Sequence, residues 1–347
     1  MHRPHSAIDG HFSRTTNESA ANRHSARHAC PLCAALCAGH STTTLLCTMK
    51  RLDPQSHAAR NLASGRYAIR SMSQREIDEI LIPRMRHAGW NPGVHDAASF
   101  VVAHPDGFFV GELDGKPIAC VSAVRYDDSF AFVGCYLVDE AHRGLGYGMA
   151  IHEHARQHAV GCVHGGDAVL ENITKYAQIG RVAAYKNIRF EGVVANAMYE
   201  ANDVIPIDTR AVDLQHIAML DRACFPAARI AFLRAWLSQP DGSGRAVMNG
   251  DAVEGFGFIR KCFQGHKIGP LFAKTPIAAD AIFRSLASTL QPGELFWLDI
   301  PEPNTDARAL VERYRMHEVF ATMRTYSGPA PALRLDWMYG ITTFELG

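Results

Sequence analysis

Arg143-Gly144-Leu145-Gly146-Tyr147-Gly148 stands between an apolar run, Phe130 to Val138, and an Ala/His-rich run, Tyr147 to Val160. The first reads as a strand and the second as a helix. Glycines at alternate positions remove side chains and allow positive φ. Successive backbone N–H groups can then turn toward one concave spot at a helix N-terminus, where the helix dipole adds positive potential. The stretch reads as an anion site that fits a pyrophosphate.

Spacing narrows the nucleotide. No Gly-Lys-Ser/Thr closes the loop, which removes the Walker reading, and Met149 stands where a Rossmann fingerprint has its third glycine. The pattern Arg-x-x-Gly-x-Gly resembles the acyl-CoA pyrophosphate loop of the GNAT superfamily of N-acyltransferases. That resemblance implies acetyl-CoA as co-substrate, held by Arg143, Gly144, Leu145, Gly146, Tyr147 and Gly148. The Arg143 guanidinium either adds charge beside the phosphates or folds back on the domain surface.

Composition agrees with a small-molecule partner. At 347 residues, with 47% apolar and 20% charged, the chain has the make-up of a globular protein of about two domains. No apolar run approaches the roughly 20 residues that span a bilayer, so no membrane partner is expected. Lys+Arg and Asp+Glu each count 35. Zero formal charge argues against nucleic-acid binding through bulk positive charge.

The first 65 residues differ from the rest. They hold His2, His5, His11, His24, His28, His40 and His57 and seven Lys/Arg, against only Asp9, Glu18 and Asp53. Without a helical or strand period they read as a disordered leader, either an organellar targeting segment over residues 1–48 or a start placed upstream of a true one near Met49. A cytoplasmic location is the expectation otherwise. Cys30-Pro-Leu-Cys33 supplies one zinc knuckle, but Cys37 and Cys47 are too far apart to supply the second. Cys120, Cys135, Cys162, Cys224 and Cys262 sit in apolar contexts and read as reduced core residues. On the helix after the glycine loop, His154 and His158 share a face, yet His-Glu-His lacks zincin spacing, so no metal is expected.

From Tyr67 the periods are clear. Tyr67 to Arg70 reads as a strand, and Ser73-Gln-Arg-Glu76 as a capping box opening a helix that Pro83 distorts. Asp96 reads as the cap of a helix to Ala103. Strands follow over 108–113, 117–125 and 130–138, turned at Asp114-Gly115 and Asp127-Asp128. After the loop come a helix over 147–160, a strand over 168–171, a short helix over 172–178 and a strand-like run over 182–199. This is the element order of a GNAT domain.

The resemblance implies a mechanism and a site. Acyl transfer from a thioester to an amine needs a deprotonated amine, a polarised carbonyl and a stabilised thiolate. In GNAT folds the strands flanking the cofactor splay, and backbone amides matching Leu137 and Val138 pair with the pantetheine arm and the thioester oxygen; Asn172 lies on the cofactor side. Tyr176-Ala-Gln-Ile-Gly180 matches the family's Tyr-x-x-x-Gly-Phe, whose tyrosine serves the thiolate, but Arg181 replaces the aromatic. Tyr176 is either that acid or a structural tyrosine, with Tyr185 as the fallback. Glu171 is either a base or a strand-end carboxylate in solvent.

The C-terminal third repeats the order: helices over 214–224 and 228–237, strands over 245–248, 253–260 and 267–272, a helix over 277–290, a strand over 295–300, a helix over 306–314 and a strand over 319–324. Asp221-Arg-Ala-Cys-Phe-Pro226, Lys267-Ile-Gly-Pro-Leu-Phe272, Pro301-Glu-Pro-Asn304 and Tyr339-Gly-Ile-Thr-Thr-Phe-Glu-Leu-Gly347 resemble the YitH/HolE-type GNAT acyltransferases. Gly89-Trp-Asn-Pro-Gly93 is similar to a segment of that family's first domain, which makes Trp90 and Asn91 acceptor candidates. In the second copy Ala273-Lys-Thr-Pro276 replaces the glycine loop, and proline removes a donor, so a pyrophosphate should bind poorly there. Asp299, Glu302 and Asn304 line the acceptor pocket or serve the turn and helix cap.

The expected fold is α+β, with two tandem GNAT-like domains, each a mixed, mostly antiparallel twisted sheet flanked by helices. The expected boundaries are 66–203 for the CoA-binding catalytic domain and 204–347 for the degenerate copy. The expected function is an N-acetyltransferase acting on the primary amine of a small molecule by direct attack. A non-catalytic CoA-binding or sensing protein is the alternative, and a dinucleotide oxidoreductase is disfavoured by Met149 and by hairpins where βαβ units belong.

Overall fold

The computed structural model describes residues 52–195 and 204–347. The cysteines and histidines of residues 1–51 lie outside the described residues. The rest of the leader differs from expectation, because Ser56 caps a helix, α1 (His57–Ala63), by accepting from the Ala59 amide. Seven residues are too few to show a period. What holds the helix is tertiary: Ala58 is fully buried, in one cluster with Tyr67, Tyr147 and Ile151.

Strand β1 (Tyr67–Ser71) leads to the capping box, present with both its hydrogen bonds. The helix it opens runs as α2 (Gln74–Glu76), a π turn (Ile77–Leu81) and α3 (Ile82–His87). Pro83 has no N–H to return, and the turn before it widens. In α4 (Asp96–Ala103) Asp96 is not the cap. Its carboxylate accepts from the Gly93 amide (2.8 Å) and pairs with buried Arg260 (2.9 Å).

β2 (Phe108–Leu113) and β3 (Lys116–Arg125) meet in a two-residue turn with φ +49° at Asp114 and +76° at Gly115. Positive φ at both residues matches the twist of the flanking strands. Asp127 accepts from the amides of Ser129 and Phe130 and turns the chain into β4 (Phe130–Val138). Then come α5 (Tyr147–His158), β5 (Val163–Val169), α6 (Ile173–Gln178) and β6 (Val182–Val193). A 3-10 turn over Leu170–Asn172 replaces the end of the expected fifth strand. Residues 196–199 of the expected sixth lie outside the described residues.

The second half contains β7 (Ile207–Asp208), α7 (Leu214–Cys224), α8 (Ile230–Trp236), β8 (Gly242–Asn249), β9 (Ala252–Lys261) and β10 (His266–Ala273). It ends with α9 (Pro276–Ala287), β11 (Leu295–Pro301), α10 (Thr305–Arg313), β12 (His317–Tyr326) and β13 (Met338–Gly340).

Among the described residues the strands join in one sheet, ordered β1-β2-β3-β4-β5-β12-β6-β11-β10-β9-β8-β7, with β13 on β10. The centre of this order shows a strand exchange. β6 follows β5 in the chain yet pairs with β11 of the second copy, from Leu295↔Val193 to Pro301↔Asn187. β12 follows β11 and pairs with β5 of the first copy, from Thr322↔Val169 to Tyr326↔Gly165. The expected boundary near residue 203 would divide the copies along the chain, whereas in the sheet β6 pairs into the second half and β12 into the first.

The halves also share a core. Ile77, Leu81 and Phe100 pack in one cluster with Ile217, Phe232, Trp236 and Phe256. The fully buried Trp236 donates its indole N–H to the Gly269 carbonyl (2.9 Å), so the largest side chain there leaves no polar atom unpaired. The expectation of two tandem GNAT-like units in an α+β fold agrees with this architecture.

Candidate active site

The glycine loop leaves the end of β4 through a 3-10 turn at Glu140–His142 and opens α5. Gly144 has φ +76° and Gly146 φ +92°, the left-handed conformations the spacing calls for. Ala150 is the first residue whose amide bonds back into the helix, to Gly146 (3.0 Å). The amides of Gly144 to Gly148 make no hydrogen bond among the described residues.

α1 braces the loop from outside. The Ala58 amide donates to the Leu145 carbonyl (3.1 Å), and a methyl placed on Gly146 would lie 2.9 Å from both Ser56 Cβ and Oγ. The buried Tyr147 ring packs edge-on against Tyr67 (4.8 Å), and its hydroxyl accepts from Asn61 (2.5 Å). Only the backbone of Tyr147 is left for an anion. Arg143 folds back, its Nε donating to the Val138 carbonyl (3.0 Å), the second of its two sequence readings.

β4 and β5 form a notch. They pair in parallel only at Phe130↔Val163, Ala131↔His164 and Phe132↔Gly165, and then diverge. A bulge in β4 lies just beyond: its register against β3 jumps from Gly134↔Ser122 to Leu137↔Cys120, and Cys135 has φ +50°. An extra residue bends its strand and breaks the ladder. The bulge thus lies where β4 has parted from β5, with half-buried Leu137 and Val138 on its far side.

At the vertex of the notch lies Arg181, 8% exposed. A methyl placed on Gly166 would be 2.6 Å from its Nη2 and 2.7 Å from the Val133 carbonyl oxygen, so the guanidinium lies across the point where the strands part. Arg181 donates to the Thr325 hydroxyl (3.0 Å) and carbonyl (3.1 Å) on the exchanged strand β12. Burial pulls its pKa down to about 10. The other buried arginines, Arg189, Arg229, Arg260 and Arg324, each meet an aspartate through two hydrogen bonds. Arg181 alone among these five has no carboxylate within ion-pair distance in the described residues.

Aromatic and imidazole groups surround it. Arg181 donates its backbone N–H to the Tyr176 carbonyl (3.1 Å). The half-buried Tyr176 phenol has its pKa raised by burial and pulled back by Arg181. Burial, and then Arg181, push His152 down to about 4, so this imidazole is neutral near pH 7. The His152 ring meets Tyr136 edge-on (5.8 Å), and the Tyr136 hydroxyl would collide with a methyl on Gly148, which links the notch to the start of α5.

Glu345 lies beneath the bulge. The Gly134 backbone packs so closely on the Glu345 carbonyl that no side chain fits at 134. Glu345 is 3% exposed, its carboxylate accepts from the Thr343 hydroxyl, and it forms no ion pair among the described residues. Burial raises its pKa, and Lys267 and Arg189 pull the other way. Burial, followed by Glu345, raises the pKa of the Cys135 thiol, which places that carboxyl beside the bulge. Asp96, Arg260 and Asp299 complete this buried group, and Lys267 donates to the Trp90 carbonyl (2.9 Å).

The remaining expected residues scatter. Glu171 is exposed, and Asn172 accepts from Lys175 (2.8 Å). Asn91 grips the backbone of Gln264 at both N and O (2.9 Å each). Trp90 offers its carbonyl to Arg189 (3.3 Å) as well as to Lys267. Asp299 holds Arg189, Glu302 is exposed near Lys186 (3.4 Å), and Asn304 caps α10 while donating to the Asp336 and Met338 carbonyls. The Tyr185 ring lies beneath the Arg324 guanidinium (5.9 Å), and burial raises the pKa of its phenol. His154 and His158 pack on Phe109 (4.8 and 5.1 Å). The structure thus brings Tyr176 to the notch and Asp299 and Trp90 to the buried group below it, and leaves Glu171, Asn91, Glu302 and Asn304 in other duties.

In the second copy the corresponding helix start is closed. Thr275 accepts from the Ala278 amide (3.2 Å), Pro276 opens α9 and Lys274 pairs with Glu254 (3.2 Å). Local sequence singles out neither Tyr136 nor Glu345 at the notch, and it presents His152 only in the His-Glu-His run after the glycine loop. The signal for Arg181 was its departure from the expected aromatic; Glu345 lay inside the quoted C-terminal segment, where nothing local marks it as buried.

A splayed parallel pair, a bulge opposite the splay and a positive-φ glycine loop at a helix start define the site of a CoA-dependent acyltransferase fold. The chain belongs to the GNAT acyltransferases and carries a second GNAT-like domain in its C-terminal half. Residues 74–189 match the acetyltransferase (GNAT) family, and residues 217–340 match an acetyltransferase (GNAT) domain. The holothin acyltransferase of Pseudoalteromonas sp. (strain SANK 73390) is 28% identical over 258 residues, covering 74% of this chain and 87% of that protein. A putative acetyltransferase from Pyrococcus horikoshii superposes with a TM-score of 0.68 at 22% identity, over 81% of this chain and 96% of that one. A tandem GNAT protein from the clavulanic acid biosynthesis pathway gives 0.57 at 12% identity, over 76% and 100%.

Proposed function

We propose that this protein moves the acetyl group of acetyl-CoA to the primary amine of a small molecule by direct attack in a ternary complex. The observation that carries the reading is the pair of left-handed glycines, Gly144 and Gly146, with unpaired amides at the start of α5. Such amides with a helix dipole behind them suit a diphosphate. The β4 edge at Leu137 and Val138 would hold the pantetheine arm, and the bulge would present an amide to the thioester oxygen. That one relative is named for acylating holothin supports a small-molecule acceptor.

On this reading the acceptor enters from the face of the notch opposite α5. Glu345 takes the proton of the ammonium, the amine nitrogen bonds to the thioester carbon, the C–S bond breaks and the electron pair leaves on sulfur. Tyr176 returns a proton to the thiolate. Glu345 fits the base because burial leaves its carboxyl less acidic than usual without a cation paired to it.

Calorimetric titration with acetyl-CoA, NAD and ATP tests the cofactor, with binding expected for acetyl-CoA alone. Release of free thiol from acetyl-CoA across a panel of primary amines tests the reaction. Binding of NAD in preference to acetyl-CoA would overturn the proposal. Binding of acetyl-CoA without thiol release for any amine would favour a CoA-sensing protein.

A further inference from the structure

Four of the five arginines buried among the described residues carry their own carboxylate there, and Arg181 does not. Burying an unpaired guanidinium is costly, and proteins tolerate it where an anion arrives to share the site. Asp167, one residue beyond Gly166, attracts Arg181 at longer range, but both its oxygens are held by Arg324 (3.0 and 2.9 Å) and one also accepts from Asn187 (2.8 Å). Among the described residues the side-chain partners of Arg181 are a hydroxyl and a carbonyl, both neutral, and they engage Nε and Nη2.

We infer that Arg181 is a further catalytic residue: its guanidinium, over Gly166 at the vertex of the β4–β5 notch, is the counter-charge for the thiolate of departing CoA. The inference rests on the acyl-CoA reading above and adds to it. Position selects among the anions a CoA thioester can offer. The diphosphate belongs at residues 143–148, beyond Val138, and Val133 at the vertex is five residues from Val138, about 16 Å along a strand. The sulfur lies at the other end of the pantetheine arm.

Tyr176, the phenol expected to meet that sulfur, is tied to Arg181 by a backbone hydrogen bond, and the guanidinium lowers the pKa of the phenol. One group then supplies charge and the other a proton. As the amine attacks, the carbon–sulfur bond breaks and its electron pair moves to sulfur. Arg181 stays protonated and offsets the new charge, the sulfur takes a proton from Tyr176 or solvent, and Tyr176 is reprotonated from solvent. The other groups facing the guanidinium are His152 from α5, His164 and Asp167 from β5 and Tyr326 and Arg324 from β12. Both histidines have their pKa lowered by burial, so neither competes as a cation near pH 7.

The test needs no acceptor. Free CoA is bound to the full chain, and the ultraviolet thiolate band is followed against pH, with affinity measured separately by calorimetry. The bound thiol is expected to titrate about one to three pH units below the free thiol, the effect of an opposite charge within a few ångströms. In Arg181→Gln the titration should return to that of free CoA, while Arg181→Lys keeps most of the displacement and affinity for acetyl-CoA changes less than about threefold in both.

A wild-type thiol that titrates like free CoA overturns the inference without help from any variant, so a misfolded Gln variant does not shield it. A displacement unchanged in Arg181→Gln also overturns it. So does a preference of tenfold or more for succinyl-CoA over acetyl-CoA that vanishes in Arg181→Gln, because the anion would then be an acyl carboxylate. Failure of CoA to bind at all is a different result, and it removes the proposed function itself.

Discussion

Arg189 on β6 and Asp299 on β11 stand directly opposite each other in antiparallel register and are joined by two hydrogen bonds of 2.7 Å. One comes from each copy of the fold, and both side chains are 8% exposed. The pair therefore ties the exchanged strand of the first copy into the second and fixes one wall of the buried group around Glu345.

Breaking it from one side leaves a buried charge alone. Arg189→Met should cost about 3–5 kcal/mol in urea unfolding, and a double replacement by Met and Leu should recover much of the loss. A single variant within about 1 kcal/mol of wild type would mean that solvent reaches the pair.

The two left-handed glycines should respond differently. A methyl on Gly144 meets no atom within 4 Å, so Gly144→Ala should cost only the left-handed backbone strain, about 1 kcal/mol, with modestly weaker CoA binding. Gly146→Asp adds a collision with Ser56 and a negative charge beside the phosphates, and CoA binding should be abolished. Thermal unfolding and calorimetry on each variant check both statements, and equal CoA affinities would count against the loop.

The raised pKa of Glu345 has two consequences of opposite sense. A base works when deprotonated, so kcat/KM should rise with pH through the raised carboxyl pKa; Glu345→Gln should lose that limb and fall about 10²–10⁴-fold at neutral pH. Stability runs the other way. A carboxyl with a raised native pKa contributes stability that is full below the ordinary carboxylate pKa and is lost as pH climbs through the native value. Glu345→Gln should not show that loss, which denaturation at a series of pH values would reveal.

Tyr176→Phe should slow thiol release while leaving acetyl-CoA affinity nearly intact, because its hydroxyl is needed only once sulfur carries charge. An equal fall in affinity and turnover would assign the ring to packing.

Asn304 has a structural duty that can be separated from recognition. Asn304→Ala removes the cap of α10 and strands two carbonyls, a loss of about 2–4 kcal/mol. KM for any acceptor should then hold in a variant kept folded at low temperature. A large KM change with unchanged stability would restore Asn304 to the pocket.

Local chemistry made the cofactor side of the site legible. Gly144 and Gly146 announce positive φ by lacking a Cβ, Asp114-Gly115 announces its hairpin in the same way, and the Ser73–Glu76 box carries its own hydrogen bonds. Helix α7 appears with the bounds its apolar period sets. α1 escaped because its stability comes from Tyr147 and Ala58 meeting across almost ninety residues, and Asp96 was misread as a cap because its partner, Arg260, lies far along the chain. Glu171 is a carboxylate in a plausible place along the chain but faces solvent, whereas Glu345, two residues before Gly347, is folded under β4.

The sequence by itself determined the two copies, the loss of the anion loop in the second, and the residues that can take left-handed conformations, because these depend on each residue's own shape and on its near neighbours. Tertiary structure alone decided that β6 and β12 change places, that Arg181 is buried without a carboxylate at the notch, and that Glu345 lies beneath the bulge. Burial and charge pairing are set by residues distant in the chain, and no local pattern encodes which carboxylate a given arginine will find.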